Sequence, residues 1–115
     1  MIHVHVFTDQ ELITGFVAED HAGFAEEGED IVCAGVSVLT ITAINALEAF
    51  EIECEKHVTE GEEPRIELEV KENSDPRKMH DAQVILRTMV IGLADIAQQY
   101  PEYVQVMHEE WRQNR

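Results

Sequence analysis

"DIVCAGVSVLTITAINALEAF", residues 30–50, decides the fold. Residues 31–47 carry no charge, and that length is about the minimum that spans a bilayer. Ser37, Thr40, Thr42 and Asn45 interrupt the run, no basic residue flanks it, and Glu48 closes it. It therefore reads as the buried helix of a globular protein. Val36, Leu39, Ala43, Ile44, Leu47 and Phe50 recur at helical spacing. Val38, Ile41 and Ala46 make the helix apolar nearly all round, so it needs cover on most sides. A chain of 115 residues builds only one modest core. A second copy supplying the rest of the cover, in a homodimer, is the expectation. Asp30 reads as the N-cap, which puts Cys33 at the third helical position.

On either side of this helix the pattern changes to a period of two. In "IHVHVF", residues 2–7, Ile2, Val4 and Val6 share one face while His3 and His5 share the other. "TDQE" is a turn, and residues 12–18 form the second arm of a hairpin in which Gly15 weakens the strand or marks a bulge. Residues 19–29, rich in Glu, Asp and Gly, form a loop. After the helix, "IECEKH" (52–57) and "RIELEV" (65–70) are strands joined by the turn "TEGEEP"; Ile66, Leu68 and Val70 point inward, and Glu67 and Glu69 outward. Asp75 before Pro76 starts a second helix, amphipathic through Ala82, Ile85, Leu86, Met89, Leu93, Ile96 and Ala97, which Pro101 ends. "EYVQVMHEEW" alternates as a last, edge strand. The order β-β-α-β-β-α-β describes a two-layer α+β fold. One four- to five-stranded sheet packs with two helices in a single domain over residues 1–115.

Charge narrows the function. The formal net charge of −16 repels phosphate backbones and anionic lipid, which argues against direct nucleic-acid or membrane binding and favours a basic partner. The N-terminal stretch has no basic, then apolar, signal pattern. Two cysteines, Cys33 and Cys54, make no disulfide framework. A cytoplasmic location is expected.

The chemistry centres on Cys33. A thiol near a helix N-terminus is favoured as thiolate by the backbone N–H groups and the positive end of the dipole. His21, in the loop upstream, is a residue type suited to taking its proton. Gly23 and Gly28 give that loop the freedom to close on a substrate. Glu29 and Asp30 work the other way, because neighbouring carboxylates raise a thiol pKa. A buried core cysteine remains the commoner use of such a position, so the residues alone leave both readings open.

The stretch "HAGFAEEGEDIVCAGVSVLTITAINALE" (21–48) resembles the bacterial ribosomal-processing cysteine proteases. That family carries Gly-His, a short loop, then Asp-Ile-Val-Cys-Ala, a small residue and a serine. His21, Asp30, Ile31, Val32, Cys33, Ala34, Gly35 and Ser37 stand at those positions. "AQVILRTMVIGLADIAQQYPEYVQV" (82–106) is similar to the family's second helix and closing strand. The resemblance implies a cytoplasmic homodimer, free of cofactors, with a Cys33/His21 dyad and with Asp30 and Ser37 shaping the helix start. It implies removal of the N-terminal extension of a large-subunit ribosomal protein, with cleavage after an aromatic residue and before a basic stretch. An acidic enzyme attracts such a tail and is repelled by rRNA, so cleavage before or early in assembly is expected. One position departs from the pattern: Asp20 replaces the glycine before the histidine, where it can stiffen the loop or orient His21. This departure keeps open a second function, a non-catalytic ribosome-assembly or interaction protein retaining the fold.

Other candidates are weaker. His3 and His5 form an H-x-H pair with no third ligand near in sequence, so no metal site is expected. Cys54 reads as a buried thiol, and "HEEW" is not a zinc-protease motif.

Overall fold

A computed structural model describes residues 1–20, 27–61 and 63–110. The elements are β1 (Ile2–Asp9), β2 (Leu12–Asp20), α1 (Glu27–Ala49), β3 (Cys54–Thr59), β4 (Arg65–Val70), α2 (Pro76–Gln99) and β5 (Val104–Glu110). The strands form one sheet in the order β3-β4-β2-β1-β5. All neighbours are antiparallel except β1 and β5, which run parallel. The α+β order expected from the pattern is therefore present, with β5 at an edge.

Several boundaries differ from the sequence reading. β1 and β2 run on to Asp9 and Asp20, past the expected ends at residues 7 and 18, so the expected turn shrinks and the expected loop loses Glu19 and Asp20. The first helix begins at Glu27, so Asp30 is not its N-cap and Cys33 is not its third residue. Acidic residues suit a first turn, where the dipole is positive, so Glu27, Glu29 and Asp30 extend the helix instead of standing outside it. Cys33 consequently sits in the second turn, beyond the unpaired N–H groups. The third strand starts at Cys54, not Ile52, and runs on to Thr59. Here α1 closes through Glu51, at φ 58°, and the Ile52 N–H donates to the Leu47 carbonyl at 2.8 Å. This turn draws Ile52 into the core before the strand begins.

The core lies between one face of the sheet and both helices. Ile2, Val4, Val6, Phe16, Ala18, Leu68 and Val104 of the strands meet Val32, Val36, Ile44, Leu47, Leu86, Met89 and Leu93 of the helices. Gly35 and Gly92 let the helices approach: a Cβ on Gly92 would lie 3.0 Å from the Leu39 side chain, and one on Gly35 3.2 Å from that of Ile96. Asp75 caps α2 by accepting from the Arg77 N–H, with Pro76 in the first turn.

The β1–β2 ladder slips between Phe7 and Thr8: Phe7 pairs with Gly15 and Thr8 with Ile13, which leaves Thr14 as the extra residue of a bulge. Gly15 is needed beside it, because a Cβ there would stand 2.4 Å from the Leu68 carbonyl oxygen. The β2–β4 pairing ends at Gly15, so Ile13 has no strand partner on that side, and a helix residue takes that place. The buried Gln83 accepts from the Ile13 N–H and donates to the Ile13 carbonyl, both at 2.8 Å. The apolar stripe of α2 gave no sign of this polar clamp.

Candidate active site

Cys33 is partly buried and lines a small cavity of about 60 Å³ between α1 and the sheet. Ser37 stands one helical turn further along α1 and lines the same cavity, with Val36 beside it. Ile2, Ala18 and Ile66 form the sheet wall. Glu19, Pro64 and Arg65 form the rim. Register sets that rim: β2 and β4 pair Ala18 with Ile66 and Glu19 with Arg65. The Arg65 guanidinium lies 3.1 Å from the Glu19 carboxylate through Nη1 and 3.7 Å from the Glu67 carboxylate through Nε.

The structure thus brings Cys33 and Ser37 together. Asp20 is the last residue of β2, paired with Ile2, itself part of the cavity wall. Gly28 and Asp30 fall within α1 rather than in a loop. His21 and Gly23 lie outside the described residues. Glu19 and Arg65 were not singled out by the sequence. Arg65 did carry a signal, as the one basic residue between Glu60 and Glu69, but its meeting with Glu19 depends on strand register.

The starting point of α1 changes the electrostatics available to Cys33. The dipole effect fades within the first turn, and the unpaired donors belong to residues 27–30. Helix-terminal activation of the thiol, expected from the sequence, loses its basis.

Cys54 makes a useful contrast. It opens β3 beside Glu48, Glu51 and Glu53, and burial, with the Glu48 charge second, pushes its thiol pKa up. Both causes disfavour thiolate. Among the described residues, no group of three His, Cys, Asp or Glu side chains is placed to hold a metal ion. His5, one of the H-x-H pair, points away from the helices, with Nδ1 3.0 Å from Glu109 and Nε2 3.7 Å from Glu19.

Comparison with known proteins adds to this geometry. The family model described as cysteine protease Prp matches residues 1–105. The ribosomal processing cysteine protease Prp of Bacillus subtilis is 31% identical over 103 residues, covering 82% of this chain and 84% of its own. The crystal structure of the essential ribosomal processing protease Prp from Staphylococcus aureus in complex with a substrate peptide superposes with a TM-score of 0.77 at 27% identity, covering 95% of this chain and 100% of the other. The same protein with a covalently linked product peptide gives 0.76 at 27% identity, with the same coverage.

Proposed function

Since the chain belongs to the cysteine protease Prp family, we propose that it is the endopeptidase that removes the N-terminal extension of a large-subunit ribosomal protein, with Cys33 as nucleophile and His21 as general base. The observation that carries the assignment is the position of Cys33 beside Ser37 in a cavity lined by Ala18 and Glu19 of β2, the strand that His21 follows in sequence. The product peptide covalently linked in the S. aureus protein supports a covalent route.

The chemistry runs as acyl transfer. His21 takes the thiol proton, and Cys33 Sγ attacks the carbonyl carbon of the scissile bond. The tetrahedral intermediate collapses, and the C–N bond breaks as the new amine leaves with the proton from His21. Water, deprotonated by the same imidazole, then hydrolyses the thioester and regenerates the thiol. No cofactor enters this scheme. With the helix end at Glu27, the imidazole is the principal source of thiolate.

The working unit in this reading is a homodimer. Ile31 and Val38 of α1 and Val84 and Ile91 of α2 are all more than half exposed, on helix surfaces turned away from the sheet. The segment Ile31–Ala49 is the one described helix long and apolar enough to cross a membrane, yet its inner side is core. A second copy of the chain gives its outer side the missing cover. The reading places the enzyme in the cytoplasm, where its net charge of −16 attracts a basic protein tail.

The test is mass spectrometry of a peptide spanning the N-terminus of the host ribosomal protein. A single cut by wild type, and none by folded Cys33→Ala or His21→Ala, is expected. No cut by folded wild type would favour the non-catalytic assembly protein, for which the Asp20 departure speaks, and would make Asp20→Gly the next variant.

A further inference from the structure

We propose that the sheet face left uncovered by the helices is a second binding surface, which takes an extended, Lys- or Arg-bearing segment of a peptide whose other end reaches the Cys33 cavity. Alternation places His3, His5 and Phe7 on this face, opposite to the core residues Ile2, Val4 and Val6. Pairing extends it across the sheet: Glu19 lies beside Arg65, Val17 beside Glu67, Gly15 beside Glu69, and Glu69 beside Glu55. Glu109 follows on the β5 side, beside Phe7. The face therefore presents five carboxylates, from Glu19, Glu55, Glu67, Glu69 and Glu109, against the cations Arg65 and Lys71.

The face is shaped as well as charged. A dish of about 210 Å³ lies where Gly15 contributes no side chain. Phe7 and Val17 give it apolar surface, and Glu67 and Glu69 give it acidic walls. Val17 is 6% exposed, although it is not part of the core between sheet and helices. Apolar surface rimmed by carboxylates fits a lysine or arginine side chain, whose methylenes pack while the head finds a counter-charge. Phe7 adds a ring face that attracts a cation.

Continuity fixes the direction of the peptide. Arg65 lines both the dish and the Cys33 cavity, and its partner Glu19 stands at the cavity rim. A chain leaving Cys33 crosses the Arg65–Glu19 pair and descends onto the acidic face. Like charge repels a second copy of this face, nucleic acid and anionic lipid, which leaves a cationic peptide as the occupant.

The link to Cys33 rests on the protease reading, but binding is measurable without it. The probe is a fluorescein-labelled Gly-Ser peptide carrying four lysines, titrated by anisotropy against the full chain, with a four-glutamine peptide as reference. We expect the lysine peptide to bind, more weakly as salt rises, and to lose about tenfold in affinity in the E67Q/E69Q variant. The E48Q/E51Q variant, which removes as much charge beside Cys54 instead, should bind as wild type. Equal losses in the two variants, or no binding, would overturn the proposal. In cleavage assays, adding the lysine segment to a cleaved peptide should lower KM in wild type but not in E67Q/E69Q, with kcat alike. Cleavage in which E67Q/E69Q changes nothing would also overturn it. Face-specific binding without any cleavage would uphold this surface and sink the protease reading.

Discussion

The two faces of one sheet are built from the same strands and share almost no chemistry. On β4, Leu68 is 2% exposed in the core, while its neighbours Glu67 and Glu69 belong to the opposite face with their carboxylates in reach of solvent. On β1, Ile2, Val4 and Val6 are buried, and His3, His5 and Phe7 alternate with them on the open side. The covered face holds the molecule together. The open face and the rim it shares with the Cys33 cavity face solvent and carry the proposed chemistry. The difference teaches that stability and activity can be changed separately here, one residue apart.

The largest expected effect lies at the rim. Cys33→Ala should remove cleavage altogether, a drop of at least about 10³-fold, while thermal unfolding moves little. A Cys33→Ala variant that still cleaves at a comparable rate would break the division. Next comes the covered face. Leu68→Ala should cost about 3 kcal/mol in urea unfolding, whereas Glu67→Gln, its neighbour on the open face, should change stability by less than about 0.5 kcal/mol. Similar losses from the two would show that the faces are not separate. Gln83→Ala comes third. It leaves the Ile13 N–H and carbonyl without their buried partner and should cost about 2 kcal/mol, with added exchange of the Ile13 amide. The smallest effect concerns Cys54. Because burial and Glu48 hold its thiol pKa up, its thiolate fraction at neutral pH is low. Its alkylation by iodoacetamide should keep accelerating above the pH range of ordinary thiols, and Glu48→Gln should shift that rise slightly downward. Rapid modification of Cys54 at neutral pH would contradict this.

Much of the covered face was legible in the sequence, because it depends on periodicity alone. Ile66, Leu68 and Val70 announced their direction by alternation, and Ala82, Leu86, Met89 and Leu93 by helical spacing. The features that needed partners were not legible. Glu19 meets Arg65 through the β2–β4 register, which no local pattern encodes. Gln83 is explained only by the end of the β2–β4 pairing, which leaves Ile13 without a strand partner on that side. Asp30 looked like a cap because its side chain suits one, but Glu27 and Glu29 favour a helical first turn equally well and the helix starts earlier. That shift matters most for function. It moves Cys33 away from the helix end, and the proposed mechanism therefore relies on His21 for activation.

Labelling with a peptide chloromethyl ketone tests that central claim most directly. The reagent would carry the sequence of the N-terminal cleavage product, and the labelled residue would be mapped by mass spectrometry. The account predicts one label, on Cys33, formed much more slowly in His21→Ala, with Cys54 unmodified. A label on Cys54, equal labelling of both thiols, or a rate at Cys33 that does not depend on His21 would contradict it.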